Sequence, residues 1–282
     1  MSERFVVVTG ASTGIGRTTA LGLDREGYRV FAGVRRAQDA DTLKADASPR
    51  LTPLSLDVTD AASREAAVRR VAEAAGGEGL HGLVNNAGIV VASPVEFLDL
   101  GALRRQLEVN VVGLVAVTQA FLPLLRAARG RIVHIGSSSG YIAAPLMAPY
   151  SASKYAVEAI ADAMRRELAG SGVAVSLVEP GAIATPIWDK GVEMGDELVR
   201  TLPPQAIDFY GERIERLRAY ARKAPAQAIP PERVAEAVRH ALAAPRPRTR
   251  YRVGADARSG WWLSRLLPDR AMDWLLERLT QA

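Results

Sequence analysis

The sequence predicts an α/β fold: a doubly wound parallel sheet of about seven strands, helices on both faces, and a helical extension at the C-terminal end. Three observations lead there. Short apolar runs rich in β-branched residues alternate with stretches of helical period, the pattern of strands buried on both faces. The first of these runs ends in a glycine-rich turn that opens a helix. The chain has 282 residues, 48% of them hydrophobic, enough for one well-buried core. Right-handed crossovers then wind the strands into a sheet covered on both sides.

Each element follows in order. RFVVVTG is the first strand, closed by Gly10, and Ile15, Thr19 and Leu23 recur four apart in the helix after it. YRVFAGV is the second strand. LTPLSLD is the third, with a helix over AASREAAVRRVAEAAG. LHGLVNNAG is the fourth, followed by a long helical region from about 100 to 128. RIVHIG is the fifth, and 150–169 is helical with Val157, Ile160, Met164 and Leu168 on one face. VAVSLVEPG is the sixth, and a weaker strand stands near 249–254.

Two regions break this rhythm. Residues 185–229 show no strand and little regular period, and a loop that long in a compact domain is usually functional. It carries Ile187, Trp188, Met194, Leu198, Phe209 and Tyr210, so a substrate lid with an apolar inner face is expected, with a pair of surface helices as the alternative. The tail, WWLSRLLPDRAMDWLLERL, is amphipathic. It is expected to pack on its own domain or on a partner subunit; contact with a membrane surface is the lesser alternative. The chain therefore divides into a domain over 1–257, with the lid at 185–229, and a helical tail over 258–282.

Composition narrows the chemistry. With no cysteine, disulfides, thiolate catalysis and thiolate metal sites are excluded. His81, His134 and His240 stand far apart without metal-ligand spacing, so no metal is expected. The net charge of +5 is dispersed in pairs such as Arg35-Arg36, Arg104-Arg105 and Arg165-Arg166, densest in PRPRTRYR at 245–252. Dispersed pairs are the mark of solvated helix faces, so no nucleic-acid partner is expected. No run of eighteen apolar residues and no leader-type N-terminus is visible, so the expected location is cytoplasmic.

TGASTGIG at 9–16 joins the first strand to the first helix. Gly10, Gly14 and Gly16, with Ser12, Thr13 and Ile15 between them, form a turn that lets the backbone approach a ligand closely. The helix N-terminus offers N–H groups to a pyrophosphate. An acid ending the second strand would accept from the adenosine ribose and repel a 2′-phosphate. Val34 stands there instead, followed by Arg35 and Arg36, whose guanidinium groups suit a 2′-phosphate. NADP(H) is therefore the expected cofactor, with NAD(H) as the alternative. In LDVTD, Asp57 is a candidate partner for the adenine amino group and Val58 for its ring, while Thr59 or Asp60 caps the next helix.

TGASTGIG, NNAG at 85–88, Asn110 in LEVNVVG, the serines at 137–139, YSASK and PGAIAT at 180–185 occur in that order. Together they resemble the short-chain dehydrogenase/reductase family. The likeness is strong over about 4–185, and around EPGAIATPIW is nearest to members acting on steroids, retinoids and related hydrophobic alcohols or ketones. It implies a Rossmann-type domain and hydride transfer between a nicotinamide and a secondary alcohol, ketone or hydrophobic aldehyde. Thr13 stands where many NADP-preferring relatives carry a basic residue. Similar proteins are commonly dimers or tetramers, so a homo-oligomer is expected.

The proton has to come from a group that can both give and take it. Tyr150 and Lys154 are one helical turn apart and share a face, whereas Tyr155 points about 100° away. A cation within about 4–6 Å favours a phenolate, so Tyr150 is the expected acid/base, with Lys154 tuning it. Tyr155 is expected to pack in the core or beside the cofactor. The resemblance implies a serine thirteen residues before the tyrosine, which is Ser137, with Ser138 and Ser139 as competitors. Its hydroxyl would stabilise charge on the substrate oxygen. The resemblance also assigns Asn110 to a water-mediated proton relay through Lys154, and Lys154 to the nicotinamide ribose. It sets Asn85, Asn86, Ala87 and Gly88 beside the cofactor, and Pro180, Gly181, Ile183 and Thr185 around the nicotinamide. A dinucleotide-sensing protein without chemistry is the competing function.

Overall fold

The computed structural model describes residues 3–281, the side chains of 279–281 excepted. The chain runs β1 (Phe5–Val8), α1 (Gly14–Arg25), β2 (Arg29–Val34), α2 (Ala37–Ala45), β3 (Leu51–Ser55), α3 (Ala61–Ala75) and β4 (Gly82–Asn85). Then come α4 (Leu100–Leu107), α5 (Gly113–Ala127), β5 (Arg131–Ile135), α6 (Ala148–Glu167) and β6 (Ala174–Pro180). The last part holds α7 (Ile187–Thr201), α8 (Pro204–Gln227), α9 (Glu232–Ala243), β7 (Arg250–Val253), α10 (Ala255–Leu266) and α11 (Asp269–Gln281).

All seven strands are parallel, in the order β3-β2-β1-β4-β5-β6-β7. The pleat sends alternate residues to opposite faces. Val6, Val8, Val30, Ala32, Val84 and Val133 pack under α1 and α9 with Leu21, Val234 and Val238. Val7, Phe31, Leu83 and Ile132 pack under α3 and α5 with Val71, Val117, Phe121 and Leu125. Asp60 caps α3 by accepting from Ala62 N, as one of the two expected caps.

Three expectations need correcting. First, Leu100–Ala127 is one continuous helix with a five-residue π turn, Glu108–Val112, and one stretch has a mean hydropathy of 1.6. By length and composition it could cross a membrane; counting unbroken apolar runs misses it because Glu108, Asn110 and Thr118 interrupt them. Here Val117, Phe121 and Leu125 bury one side of it against the sheet.

Second, 185–229 is regular: α7 and α8 form a helical hairpin. Its stems are joined by a bridge between Ile183 and Ile229, with Ala184 N donating to Ile229 O at 2.9 Å. Leu198 and Ile214 pack on Leu146 of the loop after β5, and Tyr210 donates to Glu96 at 3.0 Å. Phe209 and Ile187, expected on an inner face, are exposed.

Third, the tail does not start at 258. α10 begins at Ala255 and packs on its own domain: Tyr141 donates to Ala257 O at 2.6 Å, and the Arg252 guanidinium stacks 3.9 Å from the Trp261 ring. Trp262, Leu266 and Trp274 face outward.

Candidate active site

The loops after β1, β4, β5 and β6 meet at the C-terminal edge of the sheet, where the strand order reverses between β1 and β4. Open parallel sheets hold ligands at that edge. Gly10 and Gly14 have φ of +63° and +53°, in the left-handed region that glycine adopts freely. A Cβ on Gly10 would lie 2.8 Å from Ala87 Cα, and one on Gly16 would run into the Gly10 carbonyl and Asn86 Nδ2.

Asn86 is why the turn is so tight. Its Nδ2 donates to Thr9 O and Gly10 O, both at 3.0 Å. Thr9 Oγ1 accepts from Asn86 N at 2.9 Å and Ala87 N at 3.0 Å. Thr13 is the N-cap of α1 but makes no capping bond, and the first turn holds no acid. Those N–H groups are thus left for a ligand, and the cradle fits a pyrophosphate. Ser12 and Thr13 lie on the turn, while Ile15 packs onto the core beneath it.

At the end of β2, Val34 is buried. Arg36 is tied to Asp39 by two bonds of 2.9 Å. Arg35 is exposed and has no salt bridge among the described residues. Asp57 Oδ1 accepts from Thr59 N at 2.9 Å and Thr59 Oγ1 at 2.7 Å. Burial works to raise its carboxyl, but the Thr59 bonds, with Arg35 and Arg64, leave it below its ordinary value. Val58 is buried, its side chain against Gly113.

Ser137 caps the short turn Ser138–Gly140 after β5, accepting from Ser139 N at 3.1 Å. Its hydroxyl stands beside the Tyr150 phenol, which burial pushes up from its ordinary value while Ser137 pulls it down. Ser138 and Ser139 build the turn, so of the three serines Ser137 meets the tyrosine. Lys154 Nζ lies 5.7 Å from the Tyr150 ring centre and donates to Ile135 O at 2.8 Å. Burial pushes Lys154 down to about 8, against the attraction of Glu158. The expected lowering of the Tyr150 phenol by Lys154 is not seen in this arrangement: the ammonium is committed to the Ile135 carbonyl, and burial prevails at the phenol.

Asn110 sits in the π turn, a distortion that often marks functional positions. Its Oδ1 accepts from Ile89 N at 2.8 Å, and its Nδ2 donates to Ile89 O and Ser153 Oγ, both at 3.0 Å. Ser153 in turn donates to Tyr150 O at 2.6 Å. Asn110 therefore reaches α6 directly through Ser153. Gln106 holds the same loop, accepting from Val91 N at 2.6 Å and donating to Ile89 O at 2.8 Å. Neither Gln106 nor Ser153 was expected at the site. Both were visible in principle: Gln106 stands four residues before Asn110, on its helix face, and Ser153 lies within YSASK.

Other residues fall elsewhere. Asn85 is buried in β4, donating to Thr118 at 2.8 Å and contacting His134 at 3.2 Å, so it serves the core and not the cofactor face. Gly88 packs on the Asn110 amide. Pro180 ends β6, and Gly181 lies under the Asp256 carboxylate, which accepts from Ala182 N at 2.6 Å. The Ile183 side chain is turned into the core. Thr185 reaches across to Gly14, 3.2 Å from where a Cβ would stand. Tyr155 is 45% exposed, not packed in the core or beside the cofactor, because one step along α6 turns it to solvent.

Residues 4–195 match the family model described as short chain dehydrogenase. The chain belongs to this family. It is 38% identical to retinol dehydrogenase 5 of Mus musculus, covering 100% of this chain and 91% of that protein. It is also 38% identical to 17-beta-hydroxysteroid dehydrogenase type 6 of Bos taurus, covering 99% and 89%. A short-chain dehydrogenase from Burkholderia cenocepacia J2315, solved in complex with NADP, superposes with a TM-score of 0.73 at 28% identity, over 98% of each chain. This short-chain dehydrogenase is thus an oxidoreductase of the nicotinamide-dependent kind, with steroid- and retinol-dehydrogenase-like relatives, and its glycine cradle fits that cofactor.

Proposed function

We propose that this short-chain dehydrogenase interconverts a hydrophobic secondary alcohol and its ketone, or a hydrophobic aldehyde and its alcohol, with NADP(H) preferred. The observation that carries this reading is the meeting of the Ser137 hydroxyl and the Tyr150 phenol at the end of β5, with buried Lys154 one turn further along α6. The nicotinamide supplies or accepts the hydride. Ser137 holds the substrate oxygen and stabilises charge on it. The Tyr150 hydroxyl gives that oxygen its proton in reduction and takes it back in oxidation. Lys154 keeps positive charge beside the developing phenolate. Asn110, Ser153 and Gln106 fix the rotation of α6 and the position of the loop after β4.

The preference for the 2′-phosphate rests on Arg35, the exposed arginine at the end of β2 that makes no salt bridge among the described residues, and on Val34 standing where an acid would. The relatives named for retinol and hydroxysteroid dehydrogenation support a hydrophobic substrate, and the α7–α8 hairpin, rooted at Ile183 and Ile229, is the segment placed to cover it. The test is a screen of steroids, retinoids, acyl ketones and small secondary alcohols, in both directions and with both cofactors, on the wild type and Tyr150→Phe. Turnover in the wild type that vanishes in Tyr150→Phe supports the reading. Cofactor binding without turnover of any class points to a sensor.

A further inference from the structure

The β7 end of the sheet carries a groove that the proposed chemistry does not use. It lies between α9, β7 and the start of α10 and has a volume of about 470 Å³, within the range of pockets that hold small organic ligands. Its charged lining is Arg233, Glu236, His240, Arg248, Arg252 and Arg258. Arg233 Nη1 stands 3.0 Å from Glu236 Oε2, so that pair cancels. Arg252 Nε stands 3.4 Å from Glu179 Oε2, and its guanidinium stacks on Trp261. Asp256 is close by in α10 but does not line the groove, and its carboxylate is held by Ala182 N. Arg248 and Arg258 are exposed, and among the described residues their side chains make no ion pair or hydrogen bond. Four arginines against Glu236, Glu179 and Asp256 leave the groove positive, with two guanidinium groups in contact with no anion.

Tyr251 adds a neutral donor to this set. It is 7% exposed, accepts from Arg248 N at 2.9 Å and lies 2.8 Å from His240 Nδ1. The phenol's own hydrogen finds its acceptor in that nitrogen. The other ring nitrogen, Nε2, then carries the imidazole hydrogen and can donate to a ligand. Two guanidinium groups and an N–H suit the several oxygens of a phosphate dianion. Ala237 and Ala255 give the groove an apolar lining for the organic part of an ester.

The wall of the groove is also the support of the candidate site. Ile229, Val253 and Gly254 line it. Val253 O accepts from Gly181 N at 2.9 Å. Ile229 N donates to Ala182 O at 3.1 Å, and Ile229 O accepts from Ala184 N at 2.9 Å. Gly254 packs on the Asp256 carboxylate that holds Ala182 N. The loop so held ends at Thr185, which meets Gly14 of the glycine cradle. A ligand resting on Ile229 and Val253 therefore touches the residues that bond this loop. Two ligands that order the same segment favour each other, since the second has less order left to impose.

We propose that this groove is an effector site for a phosphate monoester, held by Arg248, Arg258 and His240, and that its occupation steadies residues 181–185. The binding stands apart from the proposed reaction; its coupling to the cofactor rests on NADP occupying the sheet edge.

The probe is ribose 5-phosphate, titrated into full-length protein saturated with NADP so that the glycine cradle and Arg35 are already filled. Its ³¹P line width reads binding, and hydrogen exchange of the Gly181, Ala182 and Ala184 amides reads the loop. The wild type binds it with a Kd of about 1 mM or tighter, ribose itself does not bind, and exchange of the three amides slows about five-fold. Arg248→Ala and Arg258→Ala, both at exposed positions, each weaken binding by about five-fold or more, and together they abolish it along with the slowing. Because Trp262 is exposed one turn beyond Arg258, vesicles containing phosphatidic acid form a second arm. Sedimentation and slowed exchange with these vesicles alone, lost in the double variant, assign the same groove to a lipid headgroup. Binding of neither probe, binding that the double variant retains, or binding that leaves the three amides unchanged overturns the proposal. Groove binding and slowed exchange in a chain that takes up no NADP uphold the site and count against the proposed function instead.

Discussion

Gly16 and Gly22 stand two turns apart on α1, and replacing each by alanine should move stability in opposite directions. At Gly22 a Cβ meets nothing within 4 Å. Alanine there reduces the freedom of the unfolded chain and favours the helix, stabilising by about 0.5–1 kcal/mol. At Gly16 the same carbon falls on the Gly10 carbonyl oxygen, a backbone atom that cannot swing aside, and on Asn86 Nδ2. Relieving the clash forces Asn86 off Thr9 O and Gly10 O, its two 3.0 Å acceptors. Two hydrogen bonds at about 1 kcal/mol each, less the helix gain, leave Gly16→Ala destabilised by about 1–1.5 kcal/mol before any backbone strain. The displaced turn also carries the N–H groups proposed for the pyrophosphate, so a similar loss there weakens NADP binding about tenfold or more. Urea unfolding of both variants and fluorescence titration with NADP measure these two effects. A Gly16→Ala chain as stable as Gly22→Ala, or one that binds NADP like the wild type, would refute the reasoning that this glycine is held for close approach.

Three further outcomes are expected. Tyr150→Phe keeps NADP affinity within about a few-fold yet loses turnover, since the proposed chemistry takes its proton from the phenol; Tyr155→Phe, at a solvent-facing position, changes kcat less than about two-fold by steady-state assay. Arg35→Ala reduces the NADP-over-NAD ratio of kcat/KM by about tenfold, whereas Arg36→Ala, whose partner is Asp39, changes it little. Asp256→Ala breaks the bond to Ala182 N and costs about 1–2 kcal/mol in urea unfolding. It also raises KM for the cofactor, since the loop it holds carries Thr185 against Gly14.

The strands were legible because a parallel sheet covered on both faces writes its core as unbroken apolar runs, RFVVVTG and VAVSLVEPG among them. Helices with few buried positions left a weaker trace: α2 buries Leu43 alone. α7 and α8 are broken apart by Pro203-Pro204, and they spread their buried residues Leu198 and Ile214 over separate turns. The two asparagines of NNAG show where local pattern stops. β4 ends at Asn85, so the pleat sends that side chain into the core, and the next residue is free to turn back onto Gly10. One residue of strand length decides which of them serves the glycine turn. The choice among Ser137, Ser138 and Ser139 is likewise settled by where α6 lies. The Asp256 clamp joins residues 74 apart and has no local signal.

The direction in which Tyr150 points is fixed by its neighbours on α6 more than by the tyrosine itself. Ser153 is tied to Asn110 on the π turn and Lys154 to Ile135 at the end of β5. Consecutive residues on a helix point about 100° apart, so two adjacent anchors to two different elements leave the helix no freedom to turn about its axis. With that rotation fixed, Tyr150 faces Ser137 and Tyr155 faces solvent. The tyrosine and lysine spacing is therefore only half of the device. The other half is the serine between them and the asparagine it meets, which hold the phenol at the sheet edge without relying on the substrate to orient it.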